Sequence, residues 1–365
     1  MTRFPTYAAE EALRARDVEP VPLHGTPAPA LPPHVVEAVA RVLSAPMRTP
    51  PARGLGALRE ALAVELEATT GRGVDPSTEL LVTNGAMQAL GVVFRSLLSP
   101  GDEVVVPAPC FFFETPVRRG GGVPVLVPAS GDTGWGWDPG AIEAAVGSRT
   151  RVLLLCNPEN PTGYVPSAEE VAAAVAVAER HDLLVVTDEA YERSLWEGAQ
   201  LSSAFGLAER ALVIRSLGKS LAMPHLRLGL VAGPADLITR CAVTLEWDCL
   251  RVGIASQTAA LAGLTGSREW LESVHAEMAA DRTAALRAVS STSLDVVPPR
   301  GGPFLFVGRR EGQTSLADAL VGAGLPVVDG AHFQAPGLAR LPFGGASDCA
   351  PELERALAPW AVGNG

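Results

Sequence analysis

The chain has 365 residues, 47% of them hydrophobic and 19% charged, which supplies a real core and is too apolar for a disordered chain. A formal charge of −11 argues against a nucleic-acid partner, because binders of the phosphate backbone carry a basic footprint. Five cysteines without a CxxC pair indicate neither a disulfide framework nor a metal site. No apolar run reaches the roughly 18 residues of a membrane span, and residues 1–10 lack the pattern of a secretory signal, so a cytoplasmic protein is expected.

In chain order, residues 1–33 carry Pro20, Pro22, Pro27, Pro29, Pro32 and Pro33, which suits an irregular, extended arm. A helix is expected at 34–44 and another at 55–69, where Leu55, Leu58, Leu62 and Leu66 recur at helical spacing. Short β-branched runs then alternate with helical segments: 80–82, 103–106, 123–127, 152–156, 183–187, 211–214 and 229–232. Several are apolar on successive residues, as strands buried on both faces are. Strand–helix alternation implies a mostly parallel sheet with helices on both sides. A long helix at 269–290 follows. Beyond it come a strand at 302–307, a helix at 315–323, strands at 325–328 and 339–343, and a last helix at 350–361. The expected fold class is α/β: a large three-layer domain over 55–269, and a small α+β domain from 34–54 and 270–365.

Of the 29 lysine and arginine residues, only Lys219 is a lysine. Guanidinium stays protonated, so a nucleophilic primary amine for Schiff-base chemistry has to be this residue. Ligands of open α/β sheets collect at the carboxyl ends of strands, which makes the residues just beyond each strand the candidates. After 80–82 comes Thr83-Asn84-Gly85-Ala86-Met87, where small residues opening a helix suit an anion or a plain turn. Phe111, Phe112 and Phe113 follow 103–106, and one of them could stack on a planar ligand while the others pack the core. Asn157-Pro158-Glu159-Asn160-Pro161-Thr162-Gly163 reads as a rigid loop presenting the Asn160 amide. Asp188 ends a buried strand, with Tyr191 three residues on, and reads equally as a helix cap. After 211–214 come Arg215-Ser216-Leu217-Gly218-Lys219 and, eight residues beyond the lysine, Arg227.

As a set these motifs resemble the class I/II aminotransferases of fold type I, which use pyridoxal 5′-phosphate, from about residue 22 to about residue 357. The resemblance implies a homodimer that moves an amino group between an L-amino acid and a 2-oxo acid. It implies that Lys219 forms the internal aldimine, that Asp188 pairs with the pyridine nitrogen, and that Tyr191 and Asn160 bond the phenolic oxygen. It further implies Phe111 on the ring face and Gly85, Ala86, Met87, Ser216 and Arg227 around the phosphate. Arg340 in Ala339-Arg340-Leu341-Pro342-Phe343 would grip the substrate α-carboxylate, with Asn160 and Gly25 beside it.

Two departures stand out. A tyrosine that commonly reaches the partner's phosphate is replaced by Thr49, leaving Arg48 or Arg53 to take over or the contact absent. The glycine-rich turn before the carboxylate-binding arginine is the short Gly330-Ala331-His332-Phe333. Trp135, Trp137, Trp247 and the three phenylalanines suggest an apolar or aromatic substrate pocket, with core packing as the competing account. The same scaffold also supports elimination, cyclisation and decarboxylation. Ser216 to Lys219 also fits the Ser-x-x-Lys of acyl-transfer enzymes, but the companion K-T-G element needs a second lysine. A regulator's effector domain would need an upstream DNA-binding segment that the first 33 residues cannot hold.

Overall fold

The computed structural model describes residues 3–46, 49–129, 131, 134–308 and 316–362. Seven strands build the large sheet: β1 (Leu80–Thr83), β2 (Glu103–Ala108), β3 (Val123–Pro128), β4 (Thr150–Cys156), β5 (Leu184–Asp188), β6 (Ala211–Arg215) and β7 (Gly229–Ala232). Their spatial order is β1-β7-β6-β5-β4-β2-β3, and only β7 runs against its neighbours. The apolar runs read from the sequence are these strands: five are extended by one or two residues, 183–187 is shifted by one residue and 229–232 is unchanged.

Alternate residues of each strand face opposite sides. Val105, Leu153, Leu155, Val185 and Val213 pack under the helices Gly56–Thr70, Ala168–Arg180 and Ile254–Thr265. Val104, Val106, Leu154, Val186 and Ile214 pack under Ala86–Leu97 and Ala235–Cys249. That is the three-layer arrangement, and each fully buried Val, Leu or Ile contributes about 1.5–3 kcal/mol to it.

A second, antiparallel sheet is formed by β8 (Asp295–Val296), β9 (Phe304–Gly308), β10 (Val328–Asp329) and β11 (Ala339–Pro342), in the order β10-β11-β9-β8. The helices Leu316–Gly322 and Ala350–Leu357 cover it. Ser315, expected to open the first of them, lies outside the described residues. The Glu269–Ser290 helix joins the two parts. Trp270 and Leu271 at its start pack on the large core, whereas Met278, Ala285 and Val289 lie in the small one.

Three expectations differ from the structure. The strand expected at 325–328 is the two-residue Val328–Asp329 only. The N-terminal arm is not irregular throughout, because Pro5–Arg14 is a helix. All the prolines that suggested an arm lie from Pro20 onward, while 5–14 is rich in Ala and Glu with Pro5 at the first turn. The Pro33–Ser44 helix, grouped above with the small domain, buries Val35 in the large core beside Leu58 and Ala259.

Candidate active site

The parallel register sets Cys156, Asp188 and Ile214 side by side, so β4, β5 and β6 end at one level. The 157–163 loop, the Glu189–Tyr191 turn and the Lys219 helix all start there. Beyond these ends a cavity of about 820 Å³ lies between the two sheets. Gly25, Ala86, Met87, Phe111, Asn160, Asp188, Tyr191, Ser216, Lys219, Arg227 and Arg340, every one singled out in the sequence, line it. Gly85 sits immediately behind Ala86.

Lys219 lies in the single-turn helix Leu217–Ser220, with its Nζ 3.7 Å from the centroid of the Tyr191 ring. Asp188 is 4% exposed, and its Oδ1 accepts from the Ala190 N–H at 3.0 Å. The residues after Asp188 form a turn and not a helix, so this bond closes a local turn at the strand end and the helix-cap reading does not hold. Burial pushes this carboxyl up to about 6, although the Lys219 charge and the Ala190 bond oppose the shift.

Gly85 has φ +81°, and an added Cβ would lie 2.9 Å from Arg227 Nη2. Glycine is therefore required for backbone conformation and for the guanidinium that crosses it. Behind it, a Cβ on Gly229 would meet the Gly85 carbonyl carbon at 2.7 Å, Ala86 N at 2.8 Å and Arg215 O at 2.8 Å. The opening turn of the Ala86–Leu97 helix is thus pressed onto β7, with its free N–H groups beside Arg227.

On the opposite wall, Arg340 is 5% exposed in the centre of the small sheet. Its Nη1 donates to Asn160 Oδ1 at 2.9 Å, and Nη2 reaches Thr6 Oγ1 at 3.4 Å. Nε is buried with no partner, and no carboxylate pairs with the guanidinium among the described residues. Burial lowers it to about 10. Its Cζ lies 4.1 Å from the Phe304 ring centre and 4.9 Å from that of Phe333. Phe304 in turn meets Tyr191 edge-on at 6.0 Å. Lys219, Tyr191, Phe304 and Arg340 therefore form a row of successive ring contacts from the large domain to the small sheet. Gly25 belongs to it too, since a Cβ there would stand 2.9 Å from Phe304.

An amine, a buried acid, an anion-binding helix start and a buried unpaired guanidinium around one cavity fit an amino-acid-handling enzyme. A family model described as Aminotransferase class I and II matches residues 22–357. The chain belongs to that family. This aminotransferase is 33% identical over 353 residues to a probable aspartate/prephenate aminotransferase of Thermus aquaticus, covering 94% of this chain and 92% of that one. The aspartate/prephenate aminotransferase of Thermus thermophilus is 33% identical over 340 residues, 91% of this chain and 88% of its own. Among solved structures, the aspartate aminotransferase from Thermus thermophilus with maleate matches with a TM-score of 0.91 at 32% identity, covering 98% of this chain and 97% of that one. An aromatic aminotransferase from Pyrococcus horikoshii matches at 0.88 and 29% identity, covering 97% and 98%. The fold, the family and transfer of an amino group between amino and oxo acids are thereby established for this aminotransferase.

The aminotransferase also corrects some expectations. Trp247 is 90% exposed, Trp137 donates to Glu159 rather than lining the cavity, and Trp135 packs on Phe306. Of the three phenylalanines only Phe111 lines the site, since Phe112 and Phe113 enter two different cores. Arg53 is engaged by Thr78 O at 2.7 Å and Thr239 Oγ1 at 2.9 Å, and Arg48 lies outside the described residues. The short Gly330–Phe333 turn keeps its aromatic in place, as Phe333 lies against Arg340. Sequence reasoning missed Phe4, Thr6 and Glu10, brought to the cavity by the N-terminal helix. The signal available was Pro5 followed by an alanine-rich run.

Proposed function

We propose that this aminotransferase holds pyridoxal 5′-phosphate at Lys219, within a homodimer that acts in the cytoplasm. The observation that carries this reading is Arg340, a buried cation without an anionic partner among the described residues, facing the chain's only lysine across one cavity. A guanidinium left unpaired in such surroundings suits a ligand that brings its own carboxylate.

The donor set fits the cofactor. Gly85, the first turn of the Ala86–Leu97 helix and Arg227 offer N–H groups and charge to a phosphate, with Ser216 adjoining. Asp188, buried and raised, would hold a proton at the pyridine nitrogen. Phe111 would lie on the ring. When bound, the cofactor supplies an aldehyde that captures the amine and a ring that withdraws electrons from Cα. The Lys219 amine, held over the Tyr191 ring, is the group placed to take and return the proton at Cα. Tyr191 and the Asn160 amide would donate to the phenolic oxygen. Nε and Nη2 of Arg340 would bind the substrate carboxylate as a fork, while Nη1 stays on Asn160. All five cysteines are free, which suits a reducing compartment.

Borohydride reduction of the purified protein, followed by peptide mapping, tests the assignment directly. The expected label is on Lys219, and Lys219→Ala should lose both the label and turnover. Label elsewhere, or none, would remove the cofactor from this site.

A further inference from the structure

We propose that Glu159 is a positioning residue: its carboxyl clamps the 157–163 loop so that the Asn160 amide stays between Arg340 and the cofactor. This rests on the cofactor reading above.

Glu159 is 2% exposed, and no cation pairs with it among the described residues. Its Oε1 accepts from Trp137 Nε1 at 3.3 Å, and its Oε2 is hydrogen-bonded to the Thr162 hydroxyl at 2.9 Å. The Thr162 hydroxyl accepts in turn from the Tyr164 N–H at 3.1 Å. The main chain of Glu159 closes the same loop, donating to Tyr164 O at 2.8 Å and accepting from Gly163 N at 2.9 Å. One side chain thus ties both limbs of the loop together and anchors them to Trp137, outside it.

A turn that needed only to be filled would take an apolar residue, because a buried carboxyl without a counter-charge is costly. That cost is visible in the group itself, which burial pushes up to about 8, so it keeps its proton at neutral pH. What the carboxyl adds is direction, through two bonds on either side of the next residue. Asn160 has no slack of its own. Its Oδ1 is committed to Arg340 at 2.9 Å, which leaves Nδ2 as the end that donates into the cavity. Displacing the Glu159 main chain would therefore disturb the carboxylate grip and the bond to the phenolic oxygen together.

The test uses the loaded enzyme and three variants: Glu159→Gln, Glu159→Leu and Trp137→Phe. The Leu variant should raise KM for the amino donor about tenfold while kcat changes much less, since a misplaced holder costs binding geometry. It should also move the midpoint of the bound cofactor's absorbance titration upward by about one pH unit, because a donor to the phenolic oxygen is weakened. The Gln variant, which keeps the acceptor towards Trp137, offers a donor to the Thr162 hydroxyl as the protonated carboxyl does, and keeps the shape, should stay within about twofold of the parent, well under the 1.4 kcal/mol of a tenfold change. A folded, loaded Leu variant with unchanged KM and titration would make Glu159 a filler and overturn the proposal. Gln falling as far as Leu would overturn it as well. If Leu fails to fold, Trp137→Phe decides: the same two shifts at smaller size support the clamp, and unmoved values refute it. A parent enzyme with no titrating absorbance would instead defeat the cofactor reading, a distinct result.

Discussion

Arg340 and Asp188 show how burial sets the two ends of the site. Losing one partner of a desolvated charge pair typically costs about 2–5 kcal/mol. Arg340→Ala should therefore cut kcat/KM for the best donor on that scale while the cofactor's absorbance stays normal. Arg340→Lys should recover little, since ammonium cannot reproduce the fork. An alanine variant of full efficiency would place the carboxylate elsewhere. Asp188 invites a measurement with the sign reversed. Its carboxyl titrates near 6 in the fold, above the ordinary aspartate value of about 3.9. Between those values the folded chain carries a proton that the unfolded chain has lost. The cofactor-free fold thus loses stability as the pH climbs from about 4 to about 6, by an amount on the order of 1–3 kcal/mol, and stays lower above that. Asp188→Asn should raise the melting temperature of cofactor-free protein at pH 7.5 and leave it unchanged at pH 4, while slowing turnover by orders of magnitude. Lysine, aspartate and arginine were legible in the sequence because their chemistry permits few substitutes. Glu159, Phe304 and Phe333 were not, since their meeting with Asn160 and Arg340 depends on pairing between β9 and β11 and on loop closure.

Among the elements, β7 has little freedom at Gly229. A methyl group on Gly229 would strike the backbone of Gly85, Ala86 and Arg215, none of which is the end of a flexible side chain. Overpacking of this kind costs about 1–3 kcal/mol. Gly229→Ala should lower the melting temperature and weaken cofactor binding in a fluorescence titration, because the anion-binding turn rests on this contact. A variant that melts and binds as the parent does would detach the turn from phosphate binding. The strands were readable because the sheet is covered on both faces and so needs unbroken apolar runs. The N-terminal helix was not, because the neighbouring prolines dominated the pattern and its one buried residue, Leu13, gives no periodicity.

For the molecule as a whole, Val243, Trp247 and Leu250 are 52%, 90% and 68% exposed along one helix and its end. The same helix end touches the anion-binding turn, where Asn84 Nδ2 and Gln88 Nε2 lie 3.5 and 3.6 Å from Cys249 Sγ. The homodimer proposed above would seat its second copy on this apolar patch beside the site. Trp247→Glu should therefore shift sedimentation from dimer towards monomer and reduce turnover with it. A dimer of unchanged strength would locate the contact on another face. The Glu269–Ser290 helix adds a constraint of a different kind. It is set in the large core by Trp270 and Leu271 and in the small core by Met278, Ala285 and Val289. An α-helix turns about 100° and rises about 1.5 Å per residue, so the two anchorages are locked in phase. One inserted residue between them would swing the far anchorage a quarter-turn out of the small core. Surface loops can drift in length over generations, but the count of residues between Leu271 and Met278 cannot.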